Sequence, residues 1–325
     1  MITDIHRHFV PPEFFTFLRS RPEFRVRITR EAGQLIDAEI RGIPFGLNTT
    51  FFDLQRQIEQ LRFDRVDRSI LSLATPFIDY HLDPALAVEA SRLFNDTLAD
   101  AIKEHHNRFL GWAFLPLQVP SEAAIELHRC VDRYGFVGGH VASNVAGTYL
   151  NDERFEQVFR VAADLNVPLF IHPADPAGRE RMREYELTVV AGYLFDSTIN
   201  IYKLICSGFM DRWPTLKLVC AHVGGFSLLL RARMQREVDT NAILSKSMKH
   251  SVGHCLRQFY FDSICFEPAI LQYAVSAVSS DRILLGSDAP FPLGEPDPVG
   301  FVEKSLSVED SANILGKNFE HILSE

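Results

Sequence analysis

The chain has 325 residues, 46% hydrophobic and 23% charged, and its 33 Lys+Arg against 42 Asp+Glu give a formal charge of −9. That composition excludes a disordered or collagen-like chain, and the acidic balance excludes a general nucleic-acid binder, which needs a basic surface. No run of about 18 apolar residues occurs, so no membrane-spanning helix is expected.

The length is near the upper end of what one hydrophobic core supports, and a single domain over 1–325 is expected. Met1 leads directly into the first strand, so no signal peptide is expected. Five cysteines, at 130, 206, 220, 255 and 265, are an odd number without CxxC spacing, which fits reduced thiols and a cytoplasmic location. Cys220 lies in an apolar stretch and is expected to be a small buried residue.

The chain opens on Asp4-Ile5-His6-Arg7-His8-Phe9. Residues i and i+2 leave a strand on one face, so His6 and His8 converge while Ile5, Arg7 and Phe9 face away. Asp4 shares the histidines' face one step deeper, as a carboxylate that either orients a ligand or is purely structural. Pro11-Pro12 stops the strand. Within an excursion over about 20–50, the segments 25–29 and 35–40 flank a turn at Glu31-Ala32-Gly33 and predict a hairpin flap. A short helix over 53–61 leads to a second strand over 68–73.

Asp83-Pro84 then starts a long helix, in which Leu86, Ala90, Phe94, Leu98 and Ile102 recur at helical spacing. A third strand over 109–115, a helix over 122–133 and a fourth strand over 135–141 follow. The next helix has Phe155, Val158, Phe159 and Ala162 as its buried stripe. The fifth strand is 167–172, a long helical segment covers 185–210, and the sixth strand is 216–222, after which Gly224-Gly225 opens a helix. Strands seven and eight are expected at 258–263 and 282–288, with helices at 268–278 and 308–315.

Strand followed by helix about eight times over is the signature of a (β/α)8 TIM barrel, here with a small flap insertion after strand one. Several strands are continuous apolar runs, as buried parallel strands should be. A doubly wound open sheet is the competing architecture, but no GxGxxG opens a helix after the first strand.

Such a barrel gathers its functional groups at the C-terminal ends of the strands. His6 and His8 end strand one, His172 ends strand five, His222 ends strand six and Asp288 ends strand eight. A lone histidine at a strand end has a structural explanation, but this set at equivalent positions of separate strands points to a metal site. Its imidazole and carboxylate groups suit zinc, with manganese or iron as alternatives. Histidines 81, 105, 106, 128, 250, 254 and 321 fall in helices or loops and are expected to be solvated.

Asp-Ile-His-x-His near the N-terminus, Phe-Ile-His-Pro, Ala-His-x-Gly-Gly and Gly-Ser-Asp-Ala-Pro-Phe-Pro-Leu-Gly-Glu occur in this order. Together they resemble the amidohydrolase-related family typified by aminocarboxymuconate semialdehyde decarboxylase. The resemblance implies a barrel with one divalent metal held by His6, His8, His172 and Asp288, and His222 as acid/base beside a metal-bound water. It also implies a homodimer. Related barrels often carry two metals bridged by a carbamylated lysine at the end of strand four, but here that strand ends Gly138-Gly139-His140-Val141-Ala142-Ser143, so one metal is expected. The chain departs from the aminocarboxymuconate pattern at Ala289, where a tyrosine stands in those enzymes, and after His172, where Glu184-Tyr185-Glu186 takes the place of a tryptophan.

The expected activity is metal-dependent, nonoxidative decarboxylation of an unsaturated or aromatic carboxylic acid, with His222 and Asp288 as catalytic groups. The alternative on the same site is a lactone, amide or ester hydrolase or a hydratase, since a metal lowers the pKa of its bound water to roughly 7. A metal-stabilised binding module without catalysis is the third reading. Arg41 is the nearest candidate for the substrate carboxylate, or else a charged edge of the flap. His140 and Phe291 are the other substrate-binding candidates, and Phe9, Phe45 and Phe291 allow a flat apolar substrate. The expected partner is a small carboxylic acid, with no nucleic acid and no membrane.

Overall fold

In the computed structural model, which describes residues 1–324, the barrel begins with β1 (Thr3–His8) and α1 (Pro12–Ser20). The flap strands β2 (Val26–Ala32), β3 (Leu35–Ile40) and β4 (Ile43–Asn48) come next, then α2 (Leu54–Phe63), β5 (Arg68–Ser72), α3 (Pro84–Ile102), β6 (Phe109–Phe114) and α4 (Pro120–Tyr134). β7 (Gly138–Ala142) is followed by the small hairpin β8 (Asn144–Val145) and β9 (Thr148–Tyr149), then by α5 (Glu156–Asp164) and β10 (Leu169–His172). The second half runs through α6 (Tyr193–Cys206), α7 (Phe209–Arg212), β11 (Leu218–Cys220), α8 (Ser227–Thr240), α9 (Ala242–Ser247), α10 (Val252–Leu256) and β12 (Tyr260–Asp262). It ends with α11 (Pro268–Val278), β13 (Ile283–Leu284), α12 (Pro298–Ser305), α13 (Val308–Ala312) and α14 (Asn318–Ser324).

The eight barrel strands pair side by side in the order β1-β5-β6-β7-β10-β11-β12-β13, parallel at each step. The extension of β13 returns to β1: Leu285 O accepts from Ile5 N–H at 2.8 Å, His6 O from Asp288 N–H at 2.9 Å, and Ala289 O from His8 N–H at 2.8 Å. This seam sets Asp288 beside His6 and His8. The opposite end of the barrel is plugged by Phe319 and Ile322 of α14, which join Ile5, Ile70, Trp112, Phe170 and Val219 in the interior cluster. Among the described residues no helix is long and apolar enough to cross a membrane.

Three local readings need correction. The register of β1 against β5 shifts between Asp4 and Arg7, a bulge that places an extra residue on β1 and re-aims its side chains. Ile5 therefore packs inside the barrel instead of facing out. Asp4 leaves the histidines' face: its carboxylate accepts from Arg7 Nε at 3.0 Å, Ser287 Oγ at 2.7 Å and the His6 backbone N–H at 3.1 Å, and it touches no imidazole ring.

The flap is a three-stranded antiparallel sheet, not a single hairpin. Its second turn is Arg41-Gly42, both at positive φ (52° and 79°), the geometry of a two-residue hairpin loop. Pro44 and Gly46 disguise β4 in the sequence, yet β4 pairs only with β3, and an edge strand tolerates proline. Asn48 at its end donates through Nδ2 to Pro290 O at 3.0 Å and ties the flap to the strand-eight loop. Finally, the helical segment expected over 185–210 is broken: it opens on a π turn over Thr188–Gly192, and Gly208 at φ 67° separates α6 from α7.

Candidate metal centre

The strand ends bring five side chains to one point at the C-terminal mouth of the barrel. His6 Nε2 lies 3.2 Å from His8 Nε2 and 3.4 Å from Asp288 Oδ1, and His8 Nε2 lies 2.9 Å from the same carboxylate oxygen. His222 Nε2 stands 3.5 Å from Asp288 Oδ2. One ligand atom each from His6, His172, His222 and Asp288 falls within 4.8 Å of the others, so His222 stands in this group together with three of the residues that the resemblance implied as ligands.

Hydrogen bonds on the far side of each ring assign its tautomer. His6 Nδ1 donates to Asp262 Oδ2 at 2.7 Å. His172 Nδ1 donates to Pro173 O at 2.9 Å. His8 Nδ1 donates to Ser72 Oγ at 3.1 Å, and the Ser72 hydroxyl passes its own proton to Arg7 O at 3.2 Å. With each Nδ1 protonated, the three Nε2 atoms present lone pairs to one another and to a carboxylate. Lone pairs at 3.2 Å repel unless a cation lies between them. His172 Nε2 is buried without any partner, as a ligand atom awaiting an ion would be. The residues fit a divalent cation.

Electrostatics agree with that fit. Burial raises the Asp288 carboxyl, but the bonds from His222 and His8 and the charge of His6 outweigh it, so the group is held well below its usual range and is ionised. Burial and the neighbouring imidazoles push His172 well below 6.5, leaving it neutral. Burial also pulls His6 down, but its bond to Asp262 and the Asp288 and Asp262 charges hold it above 6.5, a more basic ring.

Asp262 was not singled out in the sequence. It ends β12 and is fully buried. Besides holding His6, it accepts from the backbone N–H of His222 (2.9 Å), Val223 (3.0 Å) and Ile264 (3.1 Å). His222 and Val223 both have positive φ, 55° and 51°, and a β-branched residue there is strained. The Asp262 carboxylate is what holds that turn and aims the His222 ring. Gly286 makes room for the arrangement, since a Cβ there would lie 3.0 Å from Asp262 Cβ and 3.2 Å from His6 Cβ.

Of the substrate-binding candidates, Phe291 packs edge-on to His8 with ring centroids 5.1 Å apart. His140 on β7 is fully buried, its ring 6.2 Å from that of His172. Arg41 does not touch the cluster. Its guanidinium donates to Ile78 O at 2.6 Å and lies 3.4 Å from Asp79, lining a cavity of about 190 Å³ with Arg25, Asn144, Asp175 and Arg179. Tyr185 is 86% exposed and points away, whereas Tyr193 at the start of α6 brings its ring to 6.4 Å from His172. Burial raises the Tyr193 phenol above its usual range, and the charges of Arg179, Arg41, Asp175 and Asp288 act on it to a lesser degree.

A model of the family described as "Amidohydrolase" matches residues 3–322. The 2-amino-3-carboxymuconate-6-semialdehyde decarboxylase of Dictyostelium discoideum is 29% identical over 84% of this chain and 77% of its own. The crystal structure of Metarhizium anisopliae IDCase superposes with a TM-score of 0.88 at 24% identity, covering 99% of this chain and 97% of that one. A dihydroxybenzoic acid decarboxylase from Polaromonas sp. JS666, solved with bound manganese and the inhibitor 2-nitroresorcinol, has a TM-score of 0.79 at 24% identity, covering 99% and 96%. With nearly its whole length matched by the family model and its strand-end histidines and aspartate converging at the barrel mouth, this chain belongs to the amidohydrolase family.

Proposed function

We propose that the protein is a metal-dependent, nonoxidative decarboxylase of an unsaturated or aromatic carboxylic acid. The observation that carries this reading is the convergence of His6, His8, His172, His222 and Asp288 at the barrel mouth. Relatives that are themselves named decarboxylases support it.

His6, His8, His172 and Asp288 would hold one divalent cation. The imidazole-rich donor set favours zinc, and the manganese of the Polaromonas enzyme names the ion to test beside it. When bound, the cation supplies Lewis-acid polarisation of the substrate's oxygens. Loss of CO2 breaks a carbon–carbon bond and leaves the electron pair on carbon, which must take up one proton. His222 is assigned to hold that proton. Its Nε2 stands 3.5 Å from an Asp288 carboxylate oxygen, and its Nδ1 has no hydrogen-bond partner among the described residues. Arg41, with Arg179 across the cavity, offers positive charge to a substrate carboxylate. Phe291 brings its ring to 5.1 Å from that of His8 and Tyr193 to 6.4 Å from that of His172, which suits a flat ring or diene, and the His140 ring lies 6.2 Å from that of His172.

The same reading includes a homodimer in the cytoplasm. Val190, Phe195, Leu229 and Leu230 leave apolar surface exposed around α6 and α8, and the five cysteines are free thiols.

The test is to incubate the metal-loaded protein with hydroxybenzoates and muconate semialdehydes and measure CO2. Release from at least one acid is expected. Turnover of a lactone or amide panel without any CO2 would replace this reading with a hydrolase.

A further inference from the structure

Asp196, in the first turn of α6, is 0% exposed, and every group that donates to it is neutral. Oδ2 accepts from Ser143 Oγ and from Asn144 Nδ2 at 2.9 Å. Oδ1 accepts from Tyr149 OH at 2.7 Å and from the Ala177 backbone N–H at 3.2 Å. These donors fill the lone-pair sites that a carboxylate offers. Burying a carboxylate among neutral groups is costly, and Asp196 neither joins the metal cluster nor lines the cavity at Arg41. Its role lies in what it holds.

Ser143 and Asn144, which follow β7 directly, grip the backbone on both sides of Pro173. The Ser143 N–H donates to His172 O at 3.0 Å, and Asn144 Nδ2, besides meeting Asp196, donates to Ala174 O at 2.9 Å. Between those two anchors the Pro173 carbonyl accepts the Nδ1 proton of His172 at 2.9 Å. The other group near Nδ1 is Thr75 Oγ at 3.1 Å, a hydroxyl that donates as readily as it accepts. Pro173 O therefore decides the tautomer. With that carbonyl in place the proton stays on Nδ1 and Nε2 keeps a lone pair for an ion; with it displaced, Thr75 can donate to Nδ1, and the ring proton moves to Nε2, which then cannot ligate. Resting on the reading of His172 as a metal ligand, we propose that Asp196 is a positioning residue of the metal centre. Through Ser143 and Asn144 it fixes the turn at Pro173, and with it the tautomer in which His172 binds an ion.

The test reads the tautomer and zinc binding, so it does not depend on turnover. Long-range proton–nitrogen correlation spectra of the metal-free native protein with isotope-labelled histidine should show His172 protonated on Nδ1, its signal being assigned by its absence from His172→Ala. Asp196→Asn puts an amide NH2 where an acceptor oxygen met donors. It should shift the His172 proton toward Nε2 and lower zinc affinity about tenfold in competition with a chelator. Asn144→Ala cuts the tie to Ala174 while leaving the carboxylate, and should give the same two changes even if Asp196→Asn does not fold. Tyr149→Phe is the control, because it removes a bond to the same carboxylate without touching the path to Pro173. It should lower the urea midpoint and leave the tautomer and the zinc affinity unchanged.

A native His172 protonated on Nε2 would overturn the proposal without any variant. So would native tautomer and affinity in Asn144→Ala or in a folded Asp196→Asn, because Pro173 would then hold its turn unaided. A Tyr149→Phe protein that loses zinc as strongly as the other variants would equally end it, since the cause would be a general loosening of the fold. A native chain that binds no zinc, yet shifts the His172 proton when Asp196 is replaced, would leave the positioning of His172 standing and end the metal-ligand reading.

Discussion

Asp262 Oδ2 accepts the Nδ1 proton of His6 at 2.7 Å, joining the carboxylate at the end of barrel strand seven to a metal-centre imidazole from strand one. The same oxygen accepts the His222 backbone N–H at 2.9 Å, so one buried carboxylate fixes both a candidate ligand and the candidate acid/base. Asp262→Asn keeps the shape but loses the charge that makes His6 basic. Metal affinity should fall about 10–100-fold, measured by competition with a chelator, while the circular dichroism spectrum is retained. Unchanged affinity would mean that His6 is oriented by its packing alone.

His172 and His222 both stand in the quartet around the metal position, but their surroundings differ. His172 is buried and fixed by Pro173 O through Nδ1, whereas His222 has a free Nδ1 and a longer contact of 3.5 Å to Asp288. His172→Ala should lose the metal. His222→Asn should retain it and lose about 10²–10⁴ in kcat, the usual size of a general acid or base contribution. Elemental analysis of the two proteins separates the roles, and full occupancy after loss of His172 would overturn the ligand assignment.

Why some of this was legible and some was not follows from where each residue's position is set. His6, His8, His172, His222 and Asp288 end apolar runs that can be strands of little else, so the barrel's own rule found them. Asp262 ends Tyr260-Phe261-Asp262 in the same way and was open to the same rule. The bulge in β1 was not, because it answers to the seam with Leu285 and Ala289, across almost the entire sequence. Arg41 illustrates the limit in another way: from the sequence it reads equally as a contact for the substrate carboxylate and as a charged edge of the flap, and only the fold brings it to Ile78 and Asp79 and into the same cavity lining as Arg179.

Arg7 lies between the two strand-one histidines yet points away from them into a fully buried ion cluster. Its Nε meets Asp4 at 3.0 Å, Nη2 meets Asp64 at 2.6 Å and Nη1 meets Gln57 Oε1 at 3.2 Å. Arg7→Met leaves two buried carboxylates uncompensated, and removing one partner of such a pair costs about 3–5 kcal/mol. Urea unfolding should register that loss. The triple variant with Asp4→Asn and Asp64→Asn should recover part of it, and no recovery would place the cost in packing instead of charge.

Acid should destabilise the metal-free protein in a way that His140 reports. Burial, then the charges of His8 and His6, hold His140 well below the usual 6.5 of a histidine, and burial with the other imidazoles does the same for His172. In the unfolded chain both rings titrate near 6.5. Below that pH the unfolded state binds protons that the folded state refuses, so stability present above pH 6.5 is lost as pH falls, by about 1.4 kcal/mol per pH unit for each such histidine. His8, also lowered, adds to the fall just below 6.5. His6 has the opposite sign: raised above 6.5, it is protonated in both states in this range and adds no slope. Asp288, held well below 3.8, loses its contribution only at lower pH. His140→Phe removes one refused proton, so between pH 6 and pH 5 its unfolding free energy should fall less steeply than that of the native chain by about 1.4 kcal/mol per unit. Urea titrations of the chelated proteins at pH 7, 6 and 5 measure both slopes, and parallel lines would mean that His140 takes up its proton in the folded state.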